Sequence, residues 1–414
     1  MVEGAAPGRR RTAPAPSTAP RSRSPGEEMG TVPAPLGVYV HWPYCARICP
    51  YCDFNVVRDR GRRTEQAALA RTITADLAAQ RALTGPRRLV SVFFGGGTPS
   101  LMDPDWAAQI IAAARGLWTA DETLEVTLEA NPTDAEAGRF RAFAAAGVNR
   151  LSLGVQSLDD AALAFLGRNH DAAEAVRAAE AAGVAFGRLS LDLIYARPGQ
   201  TVEAWRAELA TAIALGAEHM SPYQLTIETG TAFGRAVRRG AWRPADEDLG
   251  AALYGITQEV LGQAGFEAYE VSNHARGAPA RSQHNLIYWR GQDYVGVGPG
   301  AHGRLTVPDG RLATRGASGV ADYVRKVAQT GLGWDSRETL GPVEMAEERL
   351  LAGLRTLEGV GLDELAPLSL HADAAIVRDL AGSGLVIVED GRLIATPAGR
   401  LVLDRITADL ATAT

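Results

Sequence analysis

Residues 89–132 read LVSVFFGGGTPSLMDPDWAAQIIAAARGLWTADETLEVTLEANP. A β-branched and aromatic run (89–96) stops at a glycine cluster. A stretch of helical composition and spacing follows (103–118), and a second strand pattern (124–130) closes the unit. The same alternation runs outward on both sides, through VYVHW (38–42), RLSLGVQS (150–157), RLSLDLIY (188–195) and HMSPYQLTIE (219–228). Gly147, Gly183 and Gly216 sit where helix C-caps belong. Six βα units in succession imply a parallel sheet with right-handed crossovers.

An open doubly wound sheet and a partial barrel both fit this alternation. Every conspicuous polar motif falls at the carboxyl end of a strand: HWPYC, GGGTPS, EANP, GVQS, DLIYARPGQT and QLTIE. In a barrel these ends ring one mouth, whereas in an open sheet only those near a switch point converge. The expected fold is therefore α/β, a partial (β/α)6 TIM-like barrel over residues 36–265. A Gly- and aromatic-rich extension (266–340) and a C-terminal α+β region of helices and a hairpin (341–414) follow. In that last region GPVEMAEERLLAGLRTLEGVG, LDELAPL and AAIVRDLAGSG read as helices, and LVIVEDGRLIATPAGR as a hairpin turned at Asp390-Gly391, together a small winged-helix-like unit.

Among 414 residues, 46% hydrophobic and 22% charged is ordinary for a soluble globular chain. No apolar run approaches the roughly 20 residues that span a bilayer. A formal charge of −6 argues against a broad nucleic-acid footprint. Residues 1–35, rich in Ala, Pro, Arg, Ser and Gly, read as a disordered extension. They lack the apolar core of a secretory signal, and the prolines and Glu27–Glu28 argue against an amphipathic presequence. Met29 is an alternative start, and a cytoplasmic location follows by default.

The three cysteines, Cys45, Cys49 and Cys52, lie within eight residues in YVHWPYCARICPYCDFN (39–55). An odd, tightly grouped set indicates a reducing compartment and a local metal site rather than a disulfide scaffold. A [4Fe–4S] cube held by protein at every iron takes four thiolates. Three leave one iron open for a substrate, as catalytic metal sites do. Structural zinc is the alternative; it needs a fourth ligand, for which His41 is the nearest candidate.

The C-x3-C-x2-C spacing directly after the first strand of a βα array resembles the radical S-adenosylmethionine superfamily. GGGTPS, EANP, GVQS, LGRNH and DLIYARPGQT resemble, in order, the motifs of its branch that contains oxygen-independent coproporphyrinogen III oxidase and the haem chaperone HemW, from about Val38 to Arg400. The resemblance implies a [4Fe–4S] cluster on Cys45, Cys49 and Cys52 and reductive cleavage of S-adenosylmethionine to an adenosyl radical. It implies contacts to that cofactor from Tyr39, Gly96, Gly97, Thr98, Glu129, Gln156, Arg168 and Asp192. Read singly, each of these residues is more often a cap, turn or surface group.

Two features separate the members of the branch. The oxidase pattern continues C-x3-C-x2-C-x-C, and here the last position is Phe54. The oxidase also carries an ordered N-terminal segment. The second feature is His284-Asn285-Leu286-Ile287-Tyr288-Trp289, which resembles the HN-x2-YW motif linked to haem binding in HemW proteins. A neutral imidazole is a ready haem ligand, and Tyr288 and Trp289 offer flat faces to a macrocycle; without the family context, a loop histidine with core aromatics is the better reading. His302 and His274 are weaker candidates. The resemblance thus implies a haem-binding protein that delivers haem to client haemoproteins of the respiratory chain and draws on an electron donor for its cluster. Coproporphyrinogen III oxidation, and radical chemistry on another substrate, are the alternatives.

Overall fold

The computed structural model describes residues 33–412, so the expectations for residues 1–32, including a start at Met29, lie outside the described residues. All six expected strands form: β1 (Pro35–Trp42), β2 (Arg88–Gly96), β3 (Thr119–Ala130), β4 (Arg150–Gln156), β5 (Arg188–Tyr195) and β6 (His219–Gln224). They pair in parallel in chain order. The fold is α/β with a mainly parallel central sheet. QLTIE leaves the ladder at Gln224, so its last four residues are loop.

Strand alternation divides the molecule into layers. In β4, Leu151, Leu153 and Val155 are fully buried in the core beneath the helices. Arg150, Ser152, Gly154 and Gln156, on the opposite face, line a cavity of about 750 Å³. Tyr39, Phe93, Glu129, Asp192 and Tyr223 from the other five strands line the same space. Six strands can share one cavity only if the sheet curls around it. The sheet stays open, because its two outermost strands do not pair with each other.

The helices cover the outer face through regular apolar spacing. α1 (Arg63–Thr84) buries Leu69, Ile73 and Leu77, and α2 (Pro104–Leu117) starts on an Asp103 cap. α3 (Ala172–Ala185) packs on Ala175, Ala178, Ala179 and Ala182 and begins with an Asp171–Glu174 capping box. α4 (Val202–Ala214) buries Trp205 and Leu209, and α5 (Glu247–Gln263) buries Leu253 and Leu261. Gly147 and Gly216 stop helical segments with left-handed backbone, φ +105 and +79. Gly183 does not: it lies inside α3, because buried Ala182 keeps that turn on the core.

The Gly- and aromatic-rich extension supplies more sheet than its composition announces. β7 (Asp293–Val297) joins the free edge of β1 as a seventh parallel strand. β8 (His302–Val307), β9 (Gly310–Gly316) and β10 (Trp334–Leu340) continue outward in antiparallel order. A Cβ on Gly296 would lie 1.9 Å from the His302 carbonyl oxygen, so glycine is what lets β7 and β8 meet. α6 (Gln283–Trp289), the HN-x2-YW segment, is a single short helix.

A second core of Leu350, Leu354, Leu365, Leu393 and Leu410 gathers the C-terminal region. It contains α7 (Pro342–Gly353), α8 (Ala375–Gly382), the hairpin β11 (Val386–Glu389) and β12 (Arg392–Ala395), and α9 (Leu403–Ala411). Val360–Gly361 pairs with β12 to complete a three-stranded sheet, giving the order of a winged-helix-like unit. Asp390 and Gly391 both adopt positive φ, +48 and +73, as a two-residue hairpin turn requires. LDELAPL is turns and a 3-10 segment (Ala366–Leu368) rather than a helix, because Pro367 interrupts it.

Candidate functional site

The cysteine loop hangs from the end of β1. Tyr44–Cys45 pairs with Val57–Arg58 and closes the loop at its base. β2 clamps it from the side, with Gly97 N donating to Trp42 O and Thr98 N to Tyr44 O, both at 2.8 Å. A Cβ on Gly97 would sit 2.7 Å from the backbone of Pro43 and Tyr44, so only glycine allows this clamp. Cys45 is buried, Cys49 and Cys52 are half-buried, and all three are free thiols lining the cavity. Burial pushes the Cys45 thiol up to about 11 and raises Cys52, so cluster assembly here must displace protons.

Three free thiols on one loop fit a [4Fe–4S] cluster with one iron left open. Among the described residues, no three His, Cys, Asp or Glu side chains converge on one metal position. His41 is also committed elsewhere. Its Nδ1 meets Tyr39 Oη at 3.0 Å and its Nε2 meets Asn55 O at 2.8 Å. The fourth ligand that the zinc alternative needs is thus engaged in other bonds.

The eight residues expected to hold S-adenosylmethionine all line this cavity. Thr98 Oγ1 accepts from Asn131 Nδ2 at 3.1 Å, and Asn131 Oδ1 in turn accepts from Arg168. Arg168 also donates to Gly154 O at 3.1 Å, and to Cys49 Sγ and Tyr51 Oη, both at 3.4 Å. Ser152 Oγ donates to Asp192 Oδ2 at 2.9 Å. Enclosure in protein, with Asp192 nearby, pushes Glu129 up to about 8; burial pushes Asp192 up to about 6. Gln156 ends β4 with φ +64, a left-handed backbone rare outside glycine, directly at the cavity wall.

The HN-x2-YW helix closes the opposite end. Ser282 caps it, and both oxygens of Glu125 accept from its first N–H groups, those of Gln283 and His284, at 3.0 Å. Arg188 holds Glu125 in an ion pair of 2.7 Å. His284 points into the cavity with its ring stacked on Phe93, 4.9 Å between centroids. Its Nδ1 lies 2.8 Å from Ser91 Oγ and its Nε2 2.7 Å from Tyr288 Oη. Burial lowers its pKa to about 3, so the ring is neutral.

The motif is split between two spaces. His284 lines the main cavity, Tyr288 lines both, and Trp289 lines only the second, of about 410 Å³, with Tyr294, Leu351 and Leu403, under the Arg355 guanidinium at 4.8 Å. His302 and His274 line neither cavity. Phe54 is 63% exposed at the rim of the main one. Sequence reasoning passed over Asn131, inside the EANP motif, and Arg150, although period-2 counting back from Gln156 through Ser152 puts Arg150 on the inward face.

The sequence matches the Radical SAM superfamily over residues 39–211 and the HemN C-terminal domain over residues 340–402. A solved structure of coproporphyrinogen III oxidase (HemN) from Escherichia coli superposes with a TM-score of 0.76 over 92% of this chain and 91% of that one, at 20% identity. The architecture and the three-thiol loop thus define a radical S-adenosylmethionine protein, a class that implies a [4Fe–4S] cluster and S-adenosylmethionine. The mitochondrial radical S-adenosyl methionine domain-containing protein 1 of Bos taurus is 40% identical over 94% of this chain and 89% of its own length. A Heme chaperone HemW of Mycobacterium tuberculosis is 35% identical over 94% and 98%. The chain belongs to the family these two proteins share.

Proposed function

We propose that this protein binds haem beside a radical S-adenosylmethionine centre and passes it to client haemoproteins of the respiratory chain. The observation that carries the reading is the position of His284: a neutral imidazole facing the cavity whose other end holds Cys45, Cys49 and Cys52. A neutral ring is the form that ligates iron. Ligation requires one of the two bonds on the ring, to Ser91 Oγ or to Tyr288 Oη, to be released. A [4Fe–4S] cluster held by Cys45, Cys49 and Cys52 would supply the electron for cleavage of the sulfonium. The chain's own residues orient the cofactor, with Glu129 placed for an amine or hydroxyl, Asp192 beside it, and Gly96, Gly97 and Thr98 offering backbone. Tyr39, Gln156 and Arg168 complete that set.

Phe54 at the oxidase's fourth-cysteine position speaks against coproporphyrinogen oxidation, as does the relatives' name Heme chaperone HemW. Among the described residues no helix is long and apolar enough to cross a membrane. We propose a cytoplasmic location; the relative from Bos taurus is named mitochondrial. The test is haem titration of the anaerobically reconstituted protein and of His284→Ala. Stoichiometric uptake by wild type, lost in the variant, with no turnover of coproporphyrinogen III, is expected. Robust decarboxylation would sink the reading.

A further inference from the structure

The deepest layer of the cavity contains an arginine whose guanidinium finds no partner among the described residues. Arg150 opens β4 on its inward face, 2% exposed, and lines the cavity. Among the described residues its guanidinium has no hydrogen-bond or carboxylate partner, and its Nε is buried. Three neighbouring arginines do have partners for their guanidinium groups. Arg188 pairs with Glu125 and Glu218, Arg197 with Glu208, and Arg168 has four acceptors. A buried ion without a partner is strongly destabilising, whereas a planar two-oxygen anion would satisfy the guanidinium fork.

The surroundings do not supply that anion. The nearest carboxyls, Glu129 and Asp192, feel the charge of Arg150 without bonding to it. Enclosure also holds both above the usual carboxylate range, so together they bring less than two full negative charges at neutral pH. The other close titratable neighbours, His284 and His219, are neutral, and Ser152 is committed to Asp192. The floor of the cavity thus presents a fixed positive fork toward whatever fills it.

We infer that Arg150 receives a carboxylate of the cavity's occupant, and that this carboxylate is a propionate of the bound tetrapyrrole. The inference rests on the haem reading above. The other source of the same chemistry is the methionine carboxylate of S-adenosylmethionine.

Haem and haem dimethyl ester, titrated into the cluster-loaded full chain, separate these sources. Wild type is expected to prefer the diacid by about tenfold, the size of one charge-assisted pair. Arg150→Gln then binds both forms alike, at the affinity wild type shows for the ester, and its S-adenosylmethionine affinity is unchanged. Full retention of the preference in Arg150→Gln overturns the inference. So does a loss of S-adenosylmethionine affinity with the preference intact. If the Gln variant does not fold, Arg150→Lys reads the same quantity: it keeps the charge but loses the fork, so a reduced preference supports the role and an unchanged one refutes it. Wild type that takes up no haem at all overturns the haem reading, and this proposal with it, a result distinct from either of the others.

Discussion

The mouth and the floor of the cavity are assembled in contrasting ways. At the mouth, Cys49 and Cys52 are half-buried on the loop after β1, and Phe54, Ile48 and Tyr223 turn apolar surface outward. At the floor, His284, Ser91 and Glu125 are each no more than 1% exposed, and hydrogen bonds or ion pairs fix all three. The mouth is suited to admitting cofactor and exchanging ligands. The floor is a fixed wall, fastened by Glu125 and Arg188, that offers one imidazole and one guanidinium inward. Chemistry that needs access belongs to the first region, and discrimination by shape and charge belongs to the second.

Substitutions at the two ends should therefore fail in different ways. Cys49→Ala should abolish cluster iron and sulfide altogether while leaving the fold intact, because a half-exposed loop thiol contributes little to the core. Iron and sulfide content, measured beside circular dichroism, checks this; unchanged iron would refute the cluster assignment. At the floor, Glu125→Gln should leave cluster loading per folded molecule unaltered and lower stability by about 2–3 kcal/mol, since it leaves Arg188 with Glu218 as its one carboxylate and weakens the anchor of α6. Denaturant unfolding reads the loss. A variant that unfolds normally but no longer loads iron would break the contrast.

The same contrast explains what the sequence disclosed. Mouth residues were legible because each motif follows its own strand, so a linear reading collects them in order. The floor is not written that way. His284 meets Ser91 across 193 positions and Glu125 across 159, and only folding brings them together. The HN-x2-YW run was noticed, but as a motif rather than as a helix with two faces, so the separation of Trp289 from His284 could not be foreseen. β7 is five residues interrupted by glycine and carries too little strand pattern to be legible, and Gly183 looks like a helix stop although burial holds it inside a helix. Arg150 was within reach of strand parity, yet its lack of a partner is visible only in three dimensions.

The smallest expected effect is also the one that probes the boundary between the two regions, at Glu129. Its folded pKa of about 8 lies above the ordinary value of 4.5, so between these limits the folded state holds a proton that the unfolded chain has released. Stability from this group is fully present below the lower value and is lost as pH rises through the upper one. Asp192 adds a slope of the same sign, ending near its own raised value of about 6. From pH 6 to 8 the cofactor-free wild type should lose up to about 1.4 kcal/mol per pH unit relative to Glu129→Gln, a divergence of a few degrees in Tm. Melting curves of both proteins across that range measure it. S-adenosylmethionine should flatten the wild-type slope, because a cationic amine beside Glu129 favours the carboxylate. Parallel curves for wild type and variant would mean that Glu129 is already ionised in the empty cavity, with Arg150 answering it. The guanidinium on the floor would then have less need of a carboxylate from outside.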